Sequence, residues 1–367
     1  MPIALLTTYL AGYRMPLYER LAQRHGVEVL CYGRGERYAP SWFRGLDQQL
    51  AAAAFPARRL KGAREAFRAG GSYDAVIAPF AGGAILPAAY AGARRHGKPF
   101  ILWASVWAEP RSLTHAAALP VTRHIYRHAD AVIAYGEHVR GFVAGLRGRD
   151  SDVFIAPQTV EPELFAREVS AAEIEEFRAC HDLPAGPLVL YVGRLVAEKG
   201  VAVLLEAWPQ VSAGATLVLI GDGPLAGAAA STQRTRLIGP LPRAELPAAY
   251  AASELTVLAS IPTARFREPW GLVCNEAMHQ RRPVIASDSV GAVAGGLVRD
   301  GETGLVVPSG DAPALAHAID RLLADEQLRA RLGAGARAAV APYTYDAMLA
   351  AFDRALATAI RPSPTGP

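Results

Sequence analysis

Residues 188–224 read LVLYVGRLVAEKGVAVLLEAWPQVSAGATLVLIGDGP, and this stretch decides the fold. Two short, continuously apolar runs, at 188–192 and 217–220, flank a helix-length segment at 201–208. Strands that are apolar throughout are covered on both faces, which is typical of a parallel sheet whose strands alternate with helices. The stretch therefore predicts one strand–helix–strand unit of a doubly wound α/β domain.

The same alternation extends outward in both directions. It begins with a strand at 3–8, breaks in a polar, proline-containing stretch at 157–187, and then continues to a last strand at 304–307. A chain of 367 residues is also longer than one hydrophobic core usually holds. The pattern predicts two Rossmann-like domains facing a cleft, because such sheets bind ligands beyond the carboxyl ends of their strands.

The break in the pattern sets the predicted boundaries. We expect an N-terminal domain over residues 1–165 and a C-terminal domain over 166–345. A helix at 346–360 is expected to pack back on the N-terminal domain, and the tail at 361–367 is expected to be disordered.

Composition is typical of a globular protein in a reducing compartment. Hydrophobic residues make up 51% of the chain and charged residues 20%, which argues against disorder. The three cysteines are widely spaced and form no CxxC pair, so neither a disulfide framework nor a zinc site is expected. No apolar run reaches the length of about 18 residues that suggests a membrane span, and the start lacks the basic region of a signal peptide. We expect a cytoplasmic protein.

Positive charge is concentrated in the N-terminal half. Residues 1–160 hold 20 Lys/Arg and 11 Asp/Glu, whereas residues 161–367 hold 18 and 23. Such an excess attracts anions or is a surplus of surface arginine. The basic amphipathic segment at 57–68 carries the residues Arg58, Arg59, Lys61, Arg64 and Arg68. These cations suit peripheral contact with the inner face of a membrane, a small phosphorylated acceptor or a solvated helix face. We expect no nucleic-acid partner.

A pair of cations follows the first strand of the second half. The strand at 188–192 ends in Gly193-Arg194, and Lys199-Gly200 opens the next helix. Glycines let the backbone approach a ligand, and a helix start offers free N–H groups. Arg194 can grip two phosphate oxygens in a fork, whereas Lys199 acts as a movable point charge. This combination suits a diphosphate leaving group, although a plain strand-to-helix loop with two surface cations has the same residues.

The next two strands also end in glycines. Gly221 and Gly223 form a G-x-G-x-x-A pattern, the fingerprint of dinucleotide binding. That fingerprint expects an acidic residue about 20 positions further on, but the strand at 236–238 ends in Gly239-Pro240. We therefore do not favour a nicotinamide cofactor. The backbone around Leu241 could line a flat pocket for a nucleobase, or belong to a plain loop.

Two carboxylates occur in the segment REPWGLVCNEA at 267–277. Glu268 lies in a predicted loop, and Glu276 lies one turn into the following helix. The main-chain N–H groups around 270–272 would point out of the helix start. Carboxylates and free amides together suit sugar hydroxyls, and Glu276 suits the cis-diol of a ribose. Acidic residues are also favoured near a helix start simply by the helix dipole, by about 0.3–1 kcal/mol.

Together these segments resemble the retaining family 4 glycosyltransferases, also described as the glycosyl transferases group 1 domain. The motifs are G-R-x4-K-G at 193–200, G-D-G-P at 221–224, G-x-L at 239–241 and E-x7-E at 268–276. The resemblance covers about residues 186–340 and implies the GT-B fold, with an acceptor-binding N-terminal domain and a C-terminal domain that binds the nucleotide-sugar.

The resemblance also implies roles for individual residues. Arg194 and Lys199 would hold the diphosphate, the backbone near Leu241 would border the base, Glu268 would bind the donor sugar, and Glu276 the ribose. Glu268, Arg194 and Lys199 are the implied catalytic residues. The implied donor-binding residues are Gly12, Gly193, Arg194, Lys199, Gly221, Gly223, Leu241, Glu268, Pro269, Trp270, Gly271, Leu272 and Glu276.

The reaction implied is sugar transfer with retention of configuration, without a metal or a cofactor, since the nucleotide-sugar is a co-substrate. A UDP-sugar is the favoured donor and a GDP-sugar the alternative. The acceptor is undefined among lipid-linked, glycan and small natural-product hydroxyls. Three other functions remain open: a nucleotide-sugar 2-epimerase of the same fold, a nicotinamide oxidoreductase, and a non-catalytic nucleotide-sugar-binding protein.

The N-terminal half matches this family less well. Gly12 stands where family members often carry two adjacent glycines, and the strand at 100–103 is not followed by the histidine that many members have. Ser105 and Glu109 are the candidates for a catalytic residue in that loop, against the interpretation of an ordinary loop. The sequence therefore assigns no catalytic residue to this half.

Overall fold

The computed structural model describes residues 2–33, 45–80, 83–109, 113–212, 214–264 and 266–360. It divides the chain into two units, one formed by residues up to Gln158 together with the C-terminal helix, the other by 159–344. The tail at 361–367, for which disorder is predicted, lies outside the described residues. Within the described ranges, no helix combines the length and the apolar character that crossing a bilayer requires.

The first unit contains a parallel sheet of seven strands in the order β3-β2-β1-β4-β5-β6-β7. The strands are β1 (Ile3–Thr7), β2 (Val27–Cys31), β3 (Ala57–Arg59), β4 (Ala75–Pro79), β5 (Phe100–Ala104), β6 (Ala131–Ala134) and β7 (Val153–Ile155). The helices are α1 (Met15–His25), α2 (Leu46–Ala51), α3 (Ala63–Ser72), α4 (Ile85–Arg95), α5 (Leu113–His128) and α6 (Glu137–Arg147). Buried apolar clusters lie on both faces of this sheet, as the sequence predicts.

The second unit contains a parallel sheet of six strands in the order β10-β9-β8-β11-β12-β13. The strands are β8 (Leu188–Val192), β9 (Thr216–Ile220), β10 (Thr235–Ile238), β11 (Leu255–Leu258), β12 (Val284–Ser287) and β13 (Gly304–Val307). The helices are α7 (Pro162–Phe165), α8 (Ala171–Cys180), α9 (Val201–Ala207), α10 (Ala226–Ser231), α11 (Leu246–Ala251), α12 (Leu272–His279), α13 (Gly291–Ala294), α14 (Ala312–Ala324) and α15 (Glu326–Val340). Both strand orders follow the doubly wound pattern, which confirms the predicted fold class.

The last helix, α16 (Tyr345–Ala359), belongs to the first unit. Its apolar residues Met348, Phe352 and Ala355 are fully buried in the same cluster as residues of β1, β2 and β5. Phe352 meets Trp103 edge to face, with ring centroids 5.1 Å apart. The second unit begins at Thr159, earlier in the chain than the predicted boundary between residues 165 and 166.

The basic segment at 57–68 differs from the continuous amphipathic segment that the sequence suggests. Ala57–Arg59 forms the edge strand β3, and the helix α3 begins only at Ala63. The side chain of Arg58 pairs with Glu28 and Glu65, and Arg59 pairs with Asp47. A strand of three residues is too short to show a period of its own, so it merges with the neighbouring helix in the sequence pattern.

Candidate functional site

The predicted site residues of the second half lie on neighbouring loops at one edge of the second sheet. The loop at 193–200 follows β8, the loop at 221–225 follows β9, and the loop at 239–245 follows β10. The segment at 259–271 leads from β11 into α12. Because β10, β9, β8 and β11 are adjacent and parallel, these four loops meet at the carboxyl ends of the strands.

The glycines of this edge allow the loops to touch. The N–H of Gly193 donates to the carbonyl of Ile220 at 2.9 Å. Gly221 has a φ of +147°, and a Cβ added to it would stand 1.9 Å from the carbonyl oxygen of Gly193. An alanine at 221 would therefore force the two loops apart. The close contact between the two loops is enough to explain why position 221 is a glycine, whether or not a ligand binds there.

A buried ion pair joins two of these loops. Lys199 Nζ donates to Glu268 Oε2, and Ser260 Oγ donates to the same oxygen at 3.0 Å. The side chains of Lys199 and Glu268 are 18% and 6% exposed. The ring of Phe266 lies 5.5 Å from Lys199 Nζ, a favourable cation–π distance. The structure thus brings together two of the predicted catalytic residues, which are 69 positions apart in the chain.

Arg194 is held less firmly than Lys199. Its guanidinium donates to Glu198 Oε1 at 3.4 Å, and its side chain is about one-third exposed. The backbone carbonyl of Arg194 accepts a hydrogen bond from the Tyr191 hydroxyl at 2.8 Å. Tyr191 thus fixes the backbone of this loop, while the guanidinium stays at the surface and is able to reorient toward an anion.

Glu276 is buried one turn into α12. The Tyr250 hydroxyl, on α11, donates to Glu276 Oε2 at 2.6 Å. Of the residues that the structure describes, only Tyr250 donates a hydrogen bond to this carboxylate. Burial raises the pKa of Glu276, because the ionised form loses its hydration. The carboxylate is therefore a strong acceptor with one oxygen available for donors from outside the protein.

The segment between the two glutamates is fixed by backbone hydrogen bonds. The carbonyls of Glu268 and Trp270 accept from the N–H groups of Gly291 and Ala292 at 3.0 and 2.7 Å. The Trp270 indole donates to Asn275 Oδ1 at 2.7 Å. These contacts fix the backbone that leads from Glu268 to the start of α12.

One predicted role in this segment needs correction. Pro269 has no N–H group and therefore offers no amide donor to a sugar. The N–H groups of Gly271 and Leu272, at the helix start, donate to no acceptor within the described ranges. The usable amides thus begin after Pro269.

Leu241 is half-buried in the loop after β10, beside an ion pair that the sequence did not indicate. Arg243 forms a two-pronged contact with Glu161, with Nη1 to Oε1 at 2.6 Å. The charge of Arg243 lowers the pKa of Glu276, and the charge of Glu161 raises it. Tyr250, Ser260 and this pair were missed because single tyrosines, serines and distant ion-pair partners have no local sequence signature.

The predicted positions in the first half belong to the first unit. Gly12 opens a 3-10 turn, Gly12–Arg14, in the first unit and is exposed. Glu109 forms an ion pair with Arg123 at 2.8 Å, which suits a structural role. Among the described residues, no group of three His, Cys, Asp or Glu side chains has metal-binding geometry.

The chain is similar to known proteins over different lengths. Residues 186–325 match the family model described as glycosyl transferases group 1. The alpha-D-kanosaminyltransferase of Streptomyces kanamyceticus is 32% identical over 244 residues, which is 63% of this chain and 57% of that protein. A D-inositol 3-phosphate glycosyltransferase of Stackebrandtia nassauensis is 30% identical over 306 residues, which is 73% of this chain and 66% of that protein. The chain spans little more than half the length of the first relatives it matches.

Solved structures share the fold at lower identity. Anabaena HepE in complex with UDP superimposes with a TM-score of 0.80 at 19% identity, covering 98% of this chain and 100% of that one. The sucrose-phosphate synthase of Thermosynechococcus elongatus gives 0.74 at 24% identity, covering 96% and 98%. These findings confirm the resemblance carried by the four motifs. The chain has the GT-B fold, and residues 186–325 match the glycosyl transferases group 1 family.

Proposed function

We propose that this protein is a glycosyltransferase that moves a sugar from a nucleotide-diphospho-sugar to an acceptor hydroxyl with retention of configuration. The proposal rests above all on the buried Glu276, whose one oxygen is held by Tyr250 while the other lacks a donor in the described part of the chain. That second oxygen is not among the fully buried unpaired atoms, so it is open to hydrogen-bond donors from a ligand. The cis-diol of a nucleotide ribose supplies such donors.

The cations of the β8 loop would stabilise the leaving group. In the transfer, the bond between the sugar C1 and the diphosphate oxygen breaks, and its electron pair stays on the diphosphate. The acceptor oxygen bonds to C1, and its proton passes to the diphosphate oxygen that leaves. Lys199 and Arg194 face the negative charge that grows in this step, so no metal is required.

Glu268 and the start of α12 would hold the transferred sugar. Glu268 is already fixed by Lys199 and Ser260, so it keeps its position when a ligand arrives. The N–H groups of Gly271 and Leu272 supply donors beside this acceptor. A site with both kinds of group can bind hydroxyls that each donate and accept.

We propose a UDP-sugar as the donor and no cofactor. Anabaena HepE was solved with UDP and with UDP-glucose. A GDP-sugar is the alternative donor, because a GDP-mannose-dependent mannosyltransferase of Mycobacterium tuberculosis is 29% identical to this chain.

Thermal unfolding with UDP, GDP, ADP and NADH tests the proposed donor. UDP at about 100 times its dissociation constant should stabilise the protein by about 2.7 kcal/mol, and ADP and NADH should not. Stabilisation by NADH alone would support the oxidoreductase instead. Stabilisation by none of the four would contradict a nucleotide site.

We propose further that the acceptor-binding unit contacts the inner face of a membrane, where lipid-linked acceptors occur. Arg58 and Arg59 are neutralised by neighbouring acids, so this proposal rests on Lys61, Arg64 and Arg68. None of these three side chains forms an ion pair within 4 Å among the described residues, and the charge of Lys61 also acts on the nearby Glu65. Phe67 is 38% exposed, and its spacing from Arg64 and Arg68 puts all three on one face of α3. A groove of about 710 Å³ runs beside them.

Vesicles containing phosphatidylserine test this contact. Three cations contribute about 1 kcal/mol each near an anionic surface, so partial co-sedimentation is expected at physiological salt. The charge reversal Arg64→Glu/Arg68→Glu should abolish it. The matched reversal Arg321→Glu/Arg331→Glu, at exposed positions of the second unit, should not. Failure of the unaltered protein to co-sediment would remove the membrane from the proposal.

A further inference from the structure

We propose that Tyr250 is a positioning residue for the donor nucleotide, which holds the Glu276 carboxylate in the orientation that the ribose needs. The inference rests on the proposed function, since it assumes that Glu276 receives the ribose hydroxyls. It adds a residue outside the four motifs, on a different helix from Glu276 and 26 positions away from it.

The geometry separates the two oxygens of the carboxylate. Tyr250 is fully buried on α11, and its hydroxyl donates to Oε2 of Glu276 at 2.6 Å. Glu276 is 8% exposed, and Oε1 accepts from none of the residues that the structure describes. Two hydroxyls of a ribose would thus meet a carboxylate that cannot rotate without breaking a short buried hydrogen bond.

Besides burial, the hydrogen bond from Tyr250 is the main influence on the pKa of Glu276. Four groups face the carboxylate: Tyr250 from α11, Arg243 from the turn before α11, Glu161 from the segment before α7, and Cys274 from α12 itself. Arg243 and Glu161 pair with each other, so their effects on Glu276 oppose one another. The Cys274 thiol is fully buried, and burial raises its pKa, so it stays neutral.

Burial and the tyrosine act on Glu276 in opposite directions. Burial raises the pKa of Glu276, whereas the hydrogen bond from Tyr250 lowers it, because the bond favours the ionised carboxylate. Burial also raises the pKa of Tyr250 far above its usual value, so the hydroxyl remains a donor whenever Glu276 is ionised. Removing the hydroxyl should remove the largest effect that opposes burial and raise the pKa of Glu276 further.

The consequence is a shift in the pH dependence of nucleotide binding. Ionised Glu276 accepts the ribose hydroxyls, so affinity should be high above its pKa and fall as the pH drops through it. In Tyr250→Phe, this fall should begin at a higher pH. At neutral pH, the loss of a hydrogen bond to a charged group should weaken UDP binding by about tenfold.

Isothermal titration with UDP from about pH 5 to 9 tests this expectation. The ionisation of UDP itself affects both proteins equally, so the difference between the two curves reports Glu276. Tyr126→Phe is the matched control, because Tyr126 is a fully buried tyrosine of the first unit whose hydroxyl has no partner among the described residues. Melting temperatures establish that each variant is folded.

Three outcomes are informative. A midpoint at higher pH in Tyr250→Phe, with Tyr126→Phe unchanged, supports the role of Tyr250. Identical pH curves for Tyr250→Phe and the unaltered protein, with Glu276→Gln weakened, overturn that role and leave the proposed function intact. Normal UDP affinity in Glu276→Gln would overturn the ribose contact itself, and Tyr250 would lose its role with it.

Discussion

Replacing Lys199 by methionine is expected to lower turnover by about two to three orders of magnitude, while UDP binds only a few-fold more weakly. The reason is that negative charge grows on the diphosphate as the bond to the sugar breaks, so a cation there contributes most in the transition state. Steady-state kinetics on the donor, together with titration by UDP, separates the two effects.

The variant also needs a control for stability, because Lys199 neutralises a nearly buried carboxylate. Glu268 would keep the hydrogen bond from Ser260 but lose its cation, and a buried charge without its counter-ion is strongly destabilising. The double variant Lys199→Met/Glu268→Gln removes both charges. Its melting temperature should recover relative to the single variant, whereas its turnover should not.

Lys98→Met is a matched control in the other unit. Lys98 pairs with Asp74 at 2.9 Å and is partly buried, so its loss removes an ion pair within the first unit. Turnover of this variant should stay close to that of the unaltered protein. Near-normal turnover in Lys199→Met would contradict the role of this cation.

Glu276→Ala is expected to weaken UDP binding by about tenfold to a hundredfold. This range corresponds to the net loss of one hydrogen bond between a hydroxyl and a carboxylate, worth about 1.5–3 kcal/mol. Titration with UDP and with inorganic pyrophosphate locates the loss. Affinity for pyrophosphate should be unchanged, because that ligand has no ribose.

A deoxy ligand sharpens this second prediction. The unaltered protein should bind 2′-deoxy-UDP more weakly than UDP, since one of the hydroxyls that Glu276 accepts is missing. Glu276→Ala should bind the two ligands alike. If the variant discriminates between UDP and 2′-deoxy-UDP as strongly as the unaltered protein does, a group other than Glu276 binds the ribose hydroxyls.

The architecture could be predicted from sequence because each parallel strand is a continuous apolar run between polar loops. Leu188–Val192 and Val284–Ser287 are buried along nearly their whole length, and that burial is what the run of apolar letters records. The edge strand Ala57–Arg59 lies half in solvent and has no such run. The sequence does not show that Arg58 and Arg59 are neutralised, because the acids that pair with them, Glu28 and Asp47, come from elsewhere in the chain.

The site could be predicted in part, for a related reason. Lys199, Glu268 and Glu276 occur in local motifs, whose spacing depends on one strand end and one helix start. The donor to Glu276 comes from Tyr250, in the preceding strand–helix unit, and only the sheet order brings the two helices together. Contacts of this kind depend on tertiary packing, which no linear spacing encodes.

The central claim is that the loops at the carboxyl edge of the second sheet hold an activated sugar by its nucleotide. A crystal structure with UDP bound tests it most directly. The account predicts the diphosphate against Arg194 and Lys199, and both ribose hydroxyls within hydrogen-bonding distance of Glu276. UDP bound elsewhere on the protein, or at this edge with its ribose turned away from Glu276, would contradict it.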